Sequence, residues 1–169
     1  MEVQFATLWE NTSDLIPDEP ALISGGFTRS WKEYDDRASR LATLLSDYGL
    51  GDDSKVGLYL HNSNEYLEAQ YSIFKISGVP INVNYRYKED ELVYLLDNAD
   101  AEAVFFQSCY SNQIASIKGK LPKVKLFIRV EDGTDKTEGT EVNYEEAIHS
   151  LQPMERIKRS EDNIYMLYT

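Results

Sequence analysis

Short apolar segments alternate with amphipathic segments along most of this chain, and this alternation limits the possible folds more than any other feature. The apolar segments, predicted as strands, cover residues 55–60, 79–83, 103–106 and 124–130. The segments predicted as helices, some with apolar residues at the three- and four-residue steps of one helical face, cover residues 31–48, 62–78, 89–98, 111–118 and 144–151. This order is typical of the α/β class, with a largely parallel sheet flanked by helices and joined by right-handed crossovers.

Local signals predict where two of these helices begin. Ser30 followed by Glu33 predicts a capping box at the start of the helix over 31–48. Asn62 followed by Glu65 predicts a second capping box at the next helix. The predicted starts of these two helices can therefore be compared with the capping residues in the structure.

The regions outside this alternation are short. The sequence predicts a helix over 5–15, a hairpin over 20–28 that turns at a Gly-Gly pair, and a polar excursion over 134–140. Residues 164–169 form an unbroken apolar run, which predicts a central strand buried on both faces. Since such strands lead into ligand-binding loops, we expect the chain to be cut just before one.

Length and charge narrow the classes of protein. A chain of 169 residues is the size of one domain with a substantial core. Its 17 Lys and Arg against 29 Asp and Glu give a net charge of -12, which opposes nucleic-acid binding. Cys109 is the only cysteine, so no internal disulfide can form, and with two histidines it makes no metal-ligand cluster. No signal peptide or membrane span is indicated, so we expect a soluble protein of the reducing cytosol.

The order of several weak motifs carries a family resemblance. The sequence contains RSWKEY at 29–34, RLA at 40–42, GLGDDSKV at 49–56, FKISGVP at 74–80, NVNYRY at 82–87 followed by Glu91-Leu92, and DNIYMLYT at 162–169. In this order the motifs resemble the amino-terminal part of the adenylate-forming, AMP-binding superfamily, especially its fatty acyl-CoA synthetase branch. The departures are Ile76-Ser77 in place of small residues and Tyr85 where many relatives have proline.

The resemblance implies a function for the parent protein. It implies an acid-thiol ligase that uses ATP and Mg²⁺ to convert a small-molecule carboxylate, such as a fatty acid, to an acyl-AMP, and then forms a thioester with coenzyme A. Residues 1–169 are then the truncated amino-terminal subdomain, without most of the phosphate loop, the rest of the large domain or the carboxy-terminal domain. We expect the fragment alone to be inactive, to bind no cofactor tightly and to self-associate through exposed apolar surface.

Two residues are candidate ligand contacts, and none is assigned a catalytic or metal-binding role. The resemblance implies that Thr169 begins the ATP phosphate loop, although a plain structural role as the terminal residue is favoured. Arg86 could contact a phosphate of ATP or coenzyme A, because guanidinium suits phosphate geometry, although a surface pair with Glu89 or Asp90 is the simpler interpretation.

The remaining candidate residues have structural interpretations. We predict that His61 belongs to a turn and helix cap. Cys109 is predicted to be a partly buried, inert thiol, since no basic residue or histidine is nearby in sequence. His149 is predicted to be exposed on a short helix.

Two alternative functions remain open. The first is an adenylation domain that loads a carrier protein instead of coenzyme A. The second is a non-catalytic α/β binding module, which would form a well-folded monomer with its final strand fully covered.

Overall fold

Parallel strands form the central sheet of the computed structural model, which describes residues 4–134, 139–159, 162 and 164–168. The strands are β1 (Pro20–Ser24), β2 (Phe27–Ser30), β3 (Lys55–Tyr59), β4 (Val79–Asn82), β5 (Ala101–Gln107), β6 (Leu126–Val130) and β7 (Val142–Asn143). The main sheet has the order β4-β3-β5-β6-β7 and is parallel throughout, while β1 and β2 form a separate antiparallel hairpin. The predicted α/β class and hairpin are confirmed, and the two-residue β7 was not predicted.

Helices cover both faces of this sheet. They are α1 (Phe5–Leu15), α2 (Trp31–Asp47), α3 (Asn64–Lys75), α4 (Glu89–Asn98), α5 (Ser111–Ile117) and α6 (Tyr144–Ser150), with short 3-10 helices at Ser108–Tyr110 and Lys118–Lys120. Buried side chains of α2, α3 and α6 pack on one face, and those of α4 and α5 pack on the other. In the described part of the chain, no helix is long and apolar enough to cross a membrane.

The helix caps test the two predicted capping boxes. The Ser30 hydroxyl accepts the Glu33 amide at 3.2 Å, and the Glu33 carboxylate accepts the Ser30 amide at 2.8 Å, so the first box is confirmed. The second prediction was wrong, because Ser63 caps α3 and its hydroxyl accepts the Tyr66 amide at 3.2 Å. Ser63 lies one residue after Asn62 and is an equally good cap by type, so residue type alone could not separate the two.

The segment 164–168 differs from the predicted buried strand. It lies beside β4 at the open edge of the sheet and makes one parallel bridge, between Ile81 and Met166. Met166 is half-buried, whereas Ile164, Tyr165 and Leu167 are exposed. The Phe5 ring of α1 lies 6.5 Å from that of Tyr165, but all three side chains are at least 49% exposed, so an apolar run that predicts burial is found at the surface here. Residue 169 and the middle of the predicted excursion, 135–138, lie outside the described residues.

A buried ion cluster joins three parts of the chain that are far apart in sequence. Glu10 of α1 accepts from Lys75 of α3 at 2.9 Å and from both terminal nitrogens of Arg159 at 2.7 and 2.8 Å. Each of these side chains is at most 4% exposed. Lys75 also contacts Asp35 of α2 at 2.7 Å. Because charges taken out of water are costly unless paired, this cluster holds α1 and the segment ending at Arg159 in a single arrangement.

Glu10→Gln tests the ion cluster. Removing this carboxylate leaves two buried cations with fewer partners, so we expect the free energy of unfolding to fall by about 3–5 kcal/mol. Urea denaturation followed by circular dichroism gives that value. Asp36→Asn is the control, because Asp36 pairs with Arg40 at a partly exposed site and should cost under about 1 kcal/mol. Equal small losses for the two variants would contradict the proposed role of Glu10.

Candidate functional site

Loops at one edge of the sheet bring together polar side chains that could meet a ligand. Because the strands are parallel, the segments that follow β3, β4, β5 and β6 all emerge at the same edge, where α/β proteins hold ligands. We call this surface the carboxyl edge, and it comprises residues 60–63, 83–88, 108–110 and 131–134.

An aromatic stack crosses the carboxyl edge. His61 lies between two tyrosines, with its ring centroid 4.8 Å from that of Tyr85 and 5.6 Å from that of Tyr110. The Tyr110 hydroxyl lies 2.8 Å from His61 Nε2. Arg86 extends the stack, with Cζ 5.4 Å from the centroid of the Tyr85 ring. The helix cap predicted at His61 was wrong, because Ser63 caps α3, and the chain bends at residues 62 and 63. The His61 amide donates to the Gln107 side chain at 2.9 Å.

The turn between β4 and α4 presents Arg86. The Arg86 amide donates to Asn84 Oδ1 at 3.0 Å, and the Tyr87 amide donates to the Asn84 carbonyl at 3.0 Å. A cavity of about 300 Å³ opens beside this turn and reaches Tyr168 of the final segment. This cavity is lined by amide and aromatic side chains together with Leu60, Val83 and Leu95.

The predicted partners of Arg86 are not found. Among the described residues the exposed Arg86 side chain forms no ion pair with Glu89 or Asp90, so the simpler interpretation given above was wrong. Those carboxylates lie in the first turn of α4, where the helix dipole favours negative charge. Arg86 therefore keeps its charged nitrogens available, whereas the proposed role of Thr169 falls outside the described residues.

A second group on the carboxyl edge is built around Asp132. Its carboxylate accepts from the Ser108 hydroxyl at 2.6 Å, the Cys109 amide at 3.1 Å and the Thr134 hydroxyl at 2.7 Å. Although desolvation opposes ionisation, these hydrogen bonds together hold the pKa of Asp132 well below its usual range. This carboxylate is fully engaged in fixing the loops after β5 and β6.

Cys109 was predicted to be partly buried, and the structure shows it exposed. Desolvation, reinforced by Asp132, nevertheless raises the pKa of its thiol to about 12. The thiolate is the nucleophilic form of cysteine, so a raised pKa agrees with the predicted low reactivity. His149 is exposed on α6, as predicted.

The carboxyl edge is equipped for binding, and no catalytic group can be assigned to it. Within residues 4–134, 139–159, 162 and 164–168, no group of three or more His, Cys, Asp or Glu side chains could hold a metal ion. We therefore assign no Mg²⁺ ligand among the described residues and derive no step through that ion here. The edge supplies tilted aromatic rings, amides and one guanidinium, which suit a flat or phosphate-bearing ligand.

Sequence reasoning missed the contact between His61 and Tyr110, and it missed the hydrogen bond that the Tyr59 hydroxyl donates to the Tyr87 carbonyl at 2.9 Å. Their positions in the sequence could have indicated that they share an edge, because each residue ends or follows a parallel strand of the sheet. The sequence alone does not give the order of the strands, so it could not show which strand ends are adjacent.

A parallel sheet with helices on both faces and polar groups at its carboxyl edge defines an α/β protein of the open-sheet type. A family model described as AMP-binding enzyme matches residues 9–169. The match covers most of the chain, so the chain belongs to the AMP-binding enzyme family.

Curated relatives match the whole chain but only part of their own length. The chain is 40% identical over 172 residues to a 3-oxocholest-4-en-26-oate--CoA ligase from Rhodococcus rhodochrous. This match covers 100% of the present chain and 31% of the relative. The chain is 38% identical over 172 residues to a medium/long-chain-fatty-acid--CoA/3-oxocholest-4-en-26-oate--CoA ligase from Mycolicibacterium smegmatis, with the same shares covered. The chain thus spans 31% of the length of these two relatives.

Solved structures share the fold. A Mycobacterium tuberculosis fatty acyl CoA synthetase superposes with a TM-score of 0.82 over 98% of this chain and 32% of that chain. The identity is 17%, so this likeness supports the architecture alone.

Alkylation of Cys109 tests the environment of the Asp132 group. With the thiol pKa near 12, the thiolate fraction at pH 8 is about 10⁻⁴, against roughly a quarter for a free cysteine. We expect iodoacetamide to react at least about 100-fold more slowly than with free cysteine. Asp132→Asn should lower the pKa and speed the reaction, while Asp53→Asn, at the opposite end of the sheet, should not. A rate close to that of free cysteine in the unaltered protein would contradict this account.

Proposed function

We propose that this chain is the amino-terminal subdomain of an ATP-dependent acyl-CoA synthetase, working in the cytosol. The observation that carries the proposal is 40% identity, over the whole chain, to a protein named as a CoA ligase. The motif order described above agrees with it, because the matching segments follow one another through nearly all of the sequence.

The proposed reaction solves a problem of carboxylate chemistry. A carboxylate is a poor electrophile, because its negative charge is delocalised and its oxygen leaves badly. One carboxylate oxygen attacks the α-phosphorus of ATP, which gives acyl-AMP and releases pyrophosphate. The thiol of coenzyme A then attacks the acyl carbon, AMP leaves, and a thioester is formed.

Within this reaction the chain contributes binding groups. We propose that Arg86 contacts a phosphate of ATP or coenzyme A, since its guanidinium is exposed and forms no ion pair with Glu89 or Asp90. We also propose that Thr169 begins the loop that binds the ATP phosphates. Groups that carry out the chemistry and hold Mg²⁺ are expected in other parts of the enzyme, so we expect the 169-residue chain alone to be inactive.

The proposed substrate is a carboxylate on a large apolar body. Both relatives named above have names that specify such acids, a steroid acid in one and fatty or steroid acids in the other.

Thioester formation tests the proposal. We expect the complete enzyme that contains this chain to convert ATP, free coenzyme A and a medium- or long-chain fatty acid or 3-oxocholest-4-en-26-oate to acyl-CoA, AMP and pyrophosphate, measured by mass spectrometry. The 169-residue chain alone should show no pyrophosphate exchange above background. Transfer of the acyl group only to a carrier protein would instead favour a carrier-loading adenylation domain, and no adenylate with any acid would favour a binding module.

Self-association of the 169-residue chain is a separate proposal. The final segment exposes Ile164, Tyr165 and Leu167, at 49%, 49% and 61%, along the open edge of the sheet. Such apolar edges favour pairing between molecules. We expect light scattering to detect dimers or larger species, and Leu167→Lys to reduce them. Ile23→Lys, on the separate hairpin, should have little effect, and a strictly monomeric unaltered chain would count against this proposal.

A further inference from the structure

We propose that Tyr59 is a positioning residue for Arg86, because its buried hydroxyl holds the turn on which Arg86 lies. This inference rests on the proposed phosphate contact of Arg86. Tyr59 is the last residue of β3, and its side chain is fully buried. Its hydroxyl lies 2.9 Å from the carbonyl oxygen of Tyr87 and 3.4 Å from that of Tyr85, so the residues on either side of Arg86 are both within its reach.

The other contacts of the turn show why the Tyr87 carbonyl is the point that needs support. Asn84 fixes the near side, where it accepts the amides of Arg86 and Tyr87 at 3.0 Å each. On the far side the Tyr87 carbonyl meets only two described side-chain donors, Tyr59 at 2.9 Å and Gln113 Nε2 at 3.5 Å. The first is short and well within hydrogen-bond range, and the second is marginal. Tyr59 is thus the closer of the two side-chain donors that hold the Tyr87 carbonyl.

Packing alone does not explain why residue 59 is a tyrosine and not a phenylalanine. The ring lies in the core between the sheet and helices α4 and α5, where a phenylalanine ring would fill the same space. A buried hydroxyl is costly unless it is hydrogen-bonded. The shortest contact of the Tyr59 hydroxyl is to the Tyr87 carbonyl of the turn at 2.9 Å, and the Tyr85 carbonyl and Gln113 Oε1 each lie 3.4 Å away. The pKa of Tyr59 is raised to about 12, chiefly by desolvation, so the hydroxyl stays protonated and donates throughout the physiological range.

Holding the turn sets the direction in which the guanidinium is presented. Arg86 Cζ lies 5.4 Å from the Tyr85 ring centroid, so the side chain rests on a residue of the same turn. If the Tyr87 carbonyl loses its short hydrogen bond, Tyr85 and Arg86 move together relative to the sheet. A phosphate bound to the rest of the enzyme would then meet Arg86 less often in the correct geometry.

The test compares Tyr59→Phe with Tyr34→Phe. Tyr34 is a matched control, because it is also buried and its hydroxyl donates to a backbone carbonyl, that of Leu67, at 3.0 Å. Both variants should lower the denaturation midpoint of the enzyme that contains this chain by similar amounts. In Tyr59→Phe alone, hydrogen exchange of the peptide spanning 84–88, followed by mass spectrometry, should accelerate about tenfold.

Steady-state kinetics supply the functional readout. We expect Arg86→Gln to raise the KM of whichever substrate Arg86 contacts, coenzyme A or ATP, by about tenfold. Tyr59→Phe should raise the same KM by roughly three- to tenfold with kcat little changed, and Tyr34→Phe should leave it unchanged. Gln113→Leu removes the weaker donor to the Tyr87 carbonyl from a half-buried position. It should raise the same KM by a smaller factor, and it replaces Tyr59→Phe in this test if that variant folds poorly.

The outcomes separate the two proposals. If Arg86→Gln leaves both KM values unchanged, the phosphate contact is wrong, whereas the exchange experiment still decides whether Tyr59 holds the turn. If Arg86→Gln raises one KM but Tyr59→Phe does not, the positioning role is overturned. Unchanged exchange over 84–88 in Tyr59→Phe, or the same acceleration in Tyr34→Phe, also overturns it.

Discussion

The central place of β3 is the constraint on which the rest of this structure depends. It pairs in parallel with β4 on one side and β5 on the other, with Lys55 opposite both Val79 and Ala101. Parallel pairing on both sides requires crossover helices and brings the strand ends together at one edge. Gly57 allows the close packing of α4, because a Cβ at this position would lie 2.9 Å from Leu96 Cδ2. The aromatic stack and the turn that carries Arg86 both follow from this pairing.

Buried carboxylates attach distant segments to that sheet. Glu68 of α3 is fully buried and accepts from Arg37 of α2 at 2.8 Å and from the hydroxyl of Tyr144, at the start of α6, at 2.6 Å. Desolvation raises the pKa of Glu68 despite these partners. Glu10 serves α1 and Arg159 in the same way. Buried ion pairs contribute little net stability relative to apolar packing, but each one penalises arrangements in which the partners separate. They fix which helices lie together on the α2 and α3 side.

The predictability of each element depended on whether its signal was local. The Ser30–Glu33 box and the periodic helices are encoded within a few residues, and they were predicted correctly. The contact of His61 with Tyr110 depends on β3 and β5 being neighbours, which no local pattern gives. The prediction of a buried strand over 164–169 was wrong for a related reason, as residues 164–168 show. An apolar run indicates that burial would be favourable, but it does not show that other elements lie over it. Arg86 was chosen as a candidate from the chemistry of its side chain. Whether it forms an ion pair with Glu89 or Asp90 depends on the directions of the side chains, which the sequence does not give.

A chain with a net charge of -12 must bind an anion through local geometry. At physiological ionic strength, charges further than about 8 Å are largely screened, so the groups close to Arg86 matter most. The nearby carboxylate of Glu91 accepts the Lys88 amide at 2.8 Å and is engaged in capping α4. Since the Tyr85 ring covers one face of the guanidinium, a phosphate would approach the edge that carries the N–H groups. In the function proposed above, that edge would make paired hydrogen bonds to phosphate oxygens. Its direction would be set by the turn whose Tyr87 carbonyl accepts from the Tyr59 hydroxyl at 2.9 Å.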